Sequence, residues 1–171
     1  MAQITQSIAP KEAEFAAPLL SPDAAVAEAV RLAAAARTPI VIADTQDNPG
    51  CGGSGDTVGM LAALVANDAQ DALFGVVCDE LAAGAAHAAG VGAELELALG
   101  GRTELPGVAP FQGRFRVEAV NDGRYQANGP VSQGKAYDVG LSALLSIGGI
   151  KVALSSRRVQ ALDRMVFEHL G

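Results

Sequence analysis

Two periods of apolar positions run through this chain of 171 residues, helical in its first half and two-residue in much of its second. Residues 1–20 sustain neither, contain Pro10 and Pro18, and read as a tail or interdomain connector. The fold is expected to begin at Ser21. SPDAAVAEAVRLAAAAR offers Ser21 as a cap, Pro22 at the first helical position, an early Asp23, and Val26, Ala29, Val30 and Ala33 at helical spacing. PIVIA, from Pro39 to Ala43, is a short apolar run with β-branched residues, the pattern of a strand covered on both faces in a parallel sheet. After a glycine-rich loop, Asp56 or Thr57 can cap a helix reaching Asn67, with Val58, Leu61, Leu64 and Val65 on one face. ALFGVVCD then reads as a second buried strand, and DELAAGAAHAAG as a helix stopped by Gly90.

Beyond Gly90 the period shortens. AELELAL and GRFRVEAV alternate apolar with charged side chains, and NDGRY carries an Asp-Gly turn signal, so antiparallel hairpins solvated on one face are expected. DVGLSALLSIGGIKVALSS places two apolar runs around Gly148 and Gly149, a further hairpin, and VQALDRMVFEHL is read as a closing helix. These elements predict one α/β domain over residues 21–171, with a mixed sheet, a strand-loop-helix N-terminal half and a hairpin-rich C-terminal half.

Composition narrows the function. A hydrophobic fraction of 50% suffices for a substantial core. A net charge of −7 without any cluster of Lys or Arg argues against a nucleic-acid surface. No stretch has the length and uninterrupted apolarity of a membrane span, and the N-terminus lacks the regions of a secretory signal, so a cytoplasmic location is expected. Two cysteines, Cys51 and Cys78, are too few for a disulfide framework and read as free thiols.

The chemistry concentrates in ADTQDNPGCGGSGDTV, residues 43–58. Gly50, Gly52 and Gly55 have the G-x-G-x-x-G spacing of a dinucleotide loop, and Asp79 falls about where a ribose-binding acid is expected. Against that reading, Asp44, Asp47 and Asp56 would set negative charge beside a pyrophosphate. The residues TQDNP also separate the apolar run from the first glycine, and Gly55 is followed by Asp56 rather than by Lys and a hydroxyl. The three aspartates are oxygen donors suited to a hard cation but do not follow calcium-loop spacing, which favours caps and turn formers. His87 and His169 lie in no zinc motif, and Cys51 has no recognisable histidine partner.

The longer form of the loop is more specific. Asp44, Asp47, Asn48, Pro49, Gly50, Gly52, Gly53, Gly55, Asp56 and Thr57, with the later Ser156, Arg157, Arg158 and Gln160 after ALSS, resemble the C-terminal domain of the microcystinase C (MlrC) family. The likeness runs from about Phe15 nearly to the end, and Cys51 stands where the family usually has glycine. The resemblance implies a bacterial zinc-dependent peptidase or amide hydrolase, whose metal ligands sit in a larger N-terminal domain that this sequence lacks. It also implies a further strand and helix after VFEHLG, so the sequence looks like a truncated member. No zinc ligand carries over, and zinc is not expected to bind this chain alone. The expected partners are the absent catalytic domain and a peptide or amide substrate, and self-association is expected to cover an apolar face left by that domain. The residues carried over as substrate-side or loop candidates are Asp44, Asp47, Asn48, Gly50, Gly52, Gly53, Gly55, Asp56, Arg157 and Arg158. The backbone N–H groups near Gly52 to Gly55 are expected to receive a carboxylate or developing oxyanion.

Overall fold

The computed structural model describes residues 2–15, 18–104 and 106–171. Its centre is a five-stranded mixed sheet ordered β1-β7-β6-β3-β2. The strands are β1 (Ala72–Cys78), β2 (Glu94–Leu99), β3 (Phe111–Asn121), β6 (Ser142–Ile147) and β7 (Ile150–Ser155). Two short strands, β4 (Arg124–Gln126) and β5 (Ala136–Asp138), pair apart from it. Only β1 and β7 run parallel; the other neighbours in the large sheet are antiparallel.

The second half follows its alternating pattern closely. Leu95 and Leu97 face inward while Glu94 and Glu96 are exposed, and in β3 buried Phe115 and Val117 alternate with exposed Arg114, Arg116 and Glu118. Gly148 and Gly149 make the two-residue turn between β6 and β7, where Ile147 pairs with Ile150. Ile150, Val152 and Leu154 of β7 enter the main core with Phe115, Val117, Leu145 and Leu61. Leu144 and Ala153, on the opposite face, meet Leu170 and Phe167 of the C-terminal segment.

Helix α2 (Pro22–Ala33) has its expected cap, Ser21 Oγ accepting from Ala24 N at 3.3 Å. It rests on α3 (Gly59–Ala66), with Val26 as its one fully buried residue. Helix α4 (Glu80–Ala89) starts at Asp79 and ends at Gly90, as its sequence predicts. The tail contains a helix, α1 (Ala2–Ile8), followed by a 3-10 stretch over Ala9–Phe15.

Five expectations are corrected. PIVIA forms no strand: Val41 is 86% exposed and Ile42 alone packs against the core. Pro39 has no N–H to give a ladder, and β1 occupies that edge of the sheet. Strand β1 is not covered on both faces: Leu73 is half exposed and Gly75 is exposed on the same face. Helix α3 begins at Gly59 rather than at Asp56 or Thr57, because the Asp56 carboxylate is committed elsewhere and Val58, at the cap position, offers no side-chain bond. The NDG turn closes no hairpin between β3 and β4. Gly123, at φ 71°, turns the chain away from β3, with Asn121 Oδ1 accepting its N–H at 3.1 Å, so that β4 pairs with β5 instead. Finally, the closing helix is reduced to α5 (Met165–Glu168), because Asp163 accepts from Met165 N at 2.9 Å and from Gly129 N at 2.5 Å, starting the helix late.

Candidate functional site

The glycine loop lies at the C-terminal ends of the parallel pair β1 and β7, where Gly55 O accepts from Cys78 N at 2.7 Å. In open α/β sheets this is the end at which ligands bind. The loop is organised from inside by Asp47, whose carboxylate accepts from Gly55 N at 2.9 Å, Thr57 N at 3.1 Å and Ser54 Oγ at 3.3 Å. Burial works against the charge of Asp47, but these hydrogen bonds outweigh it and hold the carboxyl below its ordinary range. Asn48 builds the tip. Its Oδ1 accepts from Gly50 N at 2.9 Å, and its carbonyl accepts from Cys51 N and Gly53 N, both at 2.9 Å. Gly52 N donates to Pro49 O at 3.2 Å, closing the 3-10 turn Pro49–Cys51. Asp44, exposed, makes an Asx turn, accepting from Gln46 N at 2.8 Å.

The loop leaves little choice of residue at Gly53. A Cβ there would meet Asp47 Oδ1 and lie 2.8 and 2.9 Å from Asn48 N and C. Gly53→Ala is therefore expected to lower stability by about 2 kcal/mol, as overpacking does. Gly52→Ala faces open space and pays only for its φ of 94°, about 1 kcal/mol. Thermal melts of the two variants check this order.

Behind the loop stand two buried acids. Asp56 is 3% exposed and accepts from Arg102 N and Thr103 N, each at 2.7 Å, and from Ser54 Oγ. Burial again opposes its charge, and the bonds from Ser54, Thr103 and Arg102 leave its carboxyl lowered. Asp79, 2% exposed, caps α4 through Ala82 N at 3.0 Å and accepts from Gly100 N at 2.9 Å and Arg102 Nε at 3.2 Å. The connection after β2 is thus fastened both to the glycine loop and to the start of α4. Sequence reasoning nominated neither Arg102 nor Thr103. The signal available was GGRT directly after a strand, where Gly100 and Gly101 both take positive φ.

The two motifs that carry the family likeness meet here. Arg158 Nη1 donates to Gly53 O at 2.9 Å and to Gly52 O at 3.4 Å, and Gln160 Nε2 approaches Asn48 Oδ1 at 3.4 Å. Arg157 turns elsewhere and pairs with Asp138 at 2.8 Å. Cys51 is exposed on the loop tip. Cys78 is half-buried, and burial pushes its thiol up against the pull of the Arg158 charge.

This arrangement bears on the chemical readings of the loop. The N–H groups of Gly50, Cys51, Gly52, Gly53, Gly55 and Thr57 all point at acceptors within the loop and are not offered to a phosphate, carboxylate or oxyanion, whereas Ser54 N has no partner among the described residues. Asp79, the acid at the ribose position, has both oxygens engaged as a cap and brace. Asp56 is an anchor of the 102–103 backbone rather than the cap of α3. A zinc ion does not fit these residues either. Asp47, Asp56 and Asp79 face N–H donors, which a cation would have to displace, and among the described residues no group of three or more His, Cys, Asp or Glu could hold a metal. His87 Nε2 lies 3.0 Å from Ser142 O, and His169 stacks on Tyr125 with Nδ1 3.0 Å from Met165 O. No helix among the described residues is long and apolar enough to cross a membrane.

Comparison with known proteins agrees with the two motifs. Microcystinase C of Sphingomonas sp. is 29% identical over 151 residues, covering 88% of this chain and 29% of that relative. A crystal structure from Mesorhizobium sp. BNC1, described as a "Putative metallopeptidase", superposes with a TM-score of 0.86 over 99% of this chain and 33% of its own, at 23% identity. The chain therefore spans about a third of the length of these two proteins. The sequence model described as MlrC C-terminus matches residues 42–171, from the approach to the glycine loop through the Arg158 segment, and the chain belongs to that family.

Proposed function

We propose that this chain is the substrate-side, interdomain portion of a metal-dependent peptidase or amide hydrolase and performs no hydrolysis by itself. The observation that carries the reading is the convergence of the 44–57 loop with Arg158 and Gln160 at the C-terminal ends of β1 and β7. It is an internally bonded platform that presents side chains while turning most of its glycine N–H groups onto itself. In this reading a metal, zinc in the family expectation, would be held by a larger portion of the kind that fills the remaining two-thirds of the relatives, where it would supply Lewis-acid chemistry for amide hydrolysis. The residues of this chain position the substrate against it.

The test is hydrolysis by the purified 171 residues of a peptide and amide panel, with zinc supplied and with chelator. No turnover is expected; chelator-sensitive cleavage overturns the reading. The interdomain part has its own check. Leu19, Leu20 and Val41 are 73%, 61% and 86% exposed, apolar side chains that a companion portion would cover. The isolated chain is expected to self-associate through them at high concentration, and light scattering showing only monomer counts against that surface.

A further inference from the structure

The loop turns the N–H groups of Gly50, Cys51, Gly52, Gly53, Gly55 and Thr57 onto itself, so the positive charge that a negative group would meet there comes from a side chain. Arg158 has five N–H groups in one plane. Nη1 is engaged by the carbonyls of Gly52 and Gly53, and among the described residues no carboxylate pairs with the guanidinium, although its side chain is exposed. Nε and Nη2, the side-on edge that fits a carboxylate bidentately, have no partner among the described residues. Asn48 adds a second donor. Because Oδ1 accepts from Gly50 N at 2.9 Å, the orientation of the amide is set and Nδ2 is left as a donor with no partner among the described residues. Both residues contact the turn whose tip, Gly50, Cys51 and Gly52, is exposed. The nearby acids do not compete, since Asp47 and Asp56 are turned inward onto N–H groups. Arg157, the neighbour in sequence, is neutralised by Asp138.

We infer that Arg158 and Asn48 form a recognition point for a carboxylate on the ligand, so that this chain selects acidic peptides or amides over neutral ones. The inference rests on the reading that the loop faces substrate, and names the chemical class that loop admits. A purely bracing role for Arg158 would need Nη1 alone; the free edge is what a carboxylate would use.

The experiment is a titration of the whole 171-residue chain, followed by backbone amide shifts. The probes are N-acetyl-alanyl-alanine, its C-terminal amide, and N-acetyl-glutamyl-alanine amide. The first is expected to give saturable shifts at Gly50 to Gly53, with the neutral amide about tenfold or more weaker, as loss of a charge-assisted bidentate pair implies. The third probe separates a chain-end carboxylate from an acidic side chain; the stronger of the two identifies the source. Arg158→Ala is expected to abolish the preference and Arg158→Lys to retain part of it. Asn48→Asp keeps the acceptor for Gly50 N but replaces the Nδ2 donor with charge, and is expected to abolish binding with an unchanged melting temperature. No saturable shift, equal binding of acid and amide, or loss on Arg157→Ala with Arg158→Ala unaffected overturns the proposal. Carboxylate binding without turnover in any longer protein would leave this site standing and remove the hydrolase reading, whereas turnover indifferent to ligand charge would do the reverse.

Discussion

Replacing Asp79 with alanine is expected to lower the melting temperature by about 10 °C, corresponding to a loss of about 3 kcal/mol for a domain of this size. The side chain is 1% exposed and joins two segments. One oxygen caps α4 at Ala82 N; the other accepts from Gly100 N and from the Arg102 guanidinium. Its own N–H donates to Ser155 O at 3.0 Å, so the residue is fixed to the end of β7 as well. Alanine would leave the N–H groups of Ala82 and of buried Gly100 without acceptors, each costing about 1–3 kcal/mol. Arg102 loses less, because its side chain is 40% exposed and can turn to water. Asp79→Asn keeps one acceptor oxygen and should fall between. A scan in which Asp79→Ala melts within about 2 °C of the parent, the scale of an ordinary surface change, would show that the junction is not what holds these segments.

That junction was not legible in the sequence, and the reason is physical. Asp79 was visible as an acid beginning a helix, and its cap bond is local, three residues on. Its bonds to Gly100 and Arg102 span 21 and 23 residues and depend on where the connection after β2 comes to rest. The same distinction separates Asp56 from Asp47. Asp47 works within ten residues of itself, shaping a loop already recognisable from its glycines, whereas Asp56 reaches 46 and 47 residues ahead to Arg102 and Thr103. From the sequence alone, Asp56 before TVGMLAALV is a cap.

Period was the most dependable signal. The strict alternation of AELELAL and GRFRVEAV became β2 and β3 with the expected inward faces, and GlyGly between two apolar runs became the β6–β7 turn. PIVIA failed because a short continuous apolar run carries no period, and its burial depends on a neighbour that the described fold does not supply. The site was legible as a pair of motifs more than 100 residues apart. What sequence could not show was the direction of their hydrogen bonds: Gly50 N turns onto Asn48 Oδ1, and Arg158 donates to Gly53 O.

The second large effect is expected at Asp56, and it should depend on pH. With Arg102 N, Thr103 N and Ser54 Oγ all donating to a carboxylate that is 3% exposed, Asp56→Ala is expected to cost about 2–3 kcal/mol at neutral pH. This is more than the roughly 1 kcal/mol of a lost helix cap. The folded carboxyl of Asp56 is lowered, as is that of Asp47, so folding favours the ionised form. A group depressed in the folded state contributes its stability fully above the unfolded carboxyl value of about 4 and gives it up as pH falls through the lower folded value. The parent chain should therefore lose stability steeply on acidification below about pH 4, and Asp56→Ala, which has no such proton to take up, should lose less over the same range. The gap in unfolding free energy between the two should be widest at neutral pH and narrow toward pH 2, a window set by that carboxyl value. Urea titrations at a series of pH values measure it. A gap that stays constant on acidification would mean that the Asp56 charge contributes nothing, and that the loop is held by shape and backbone bonds alone.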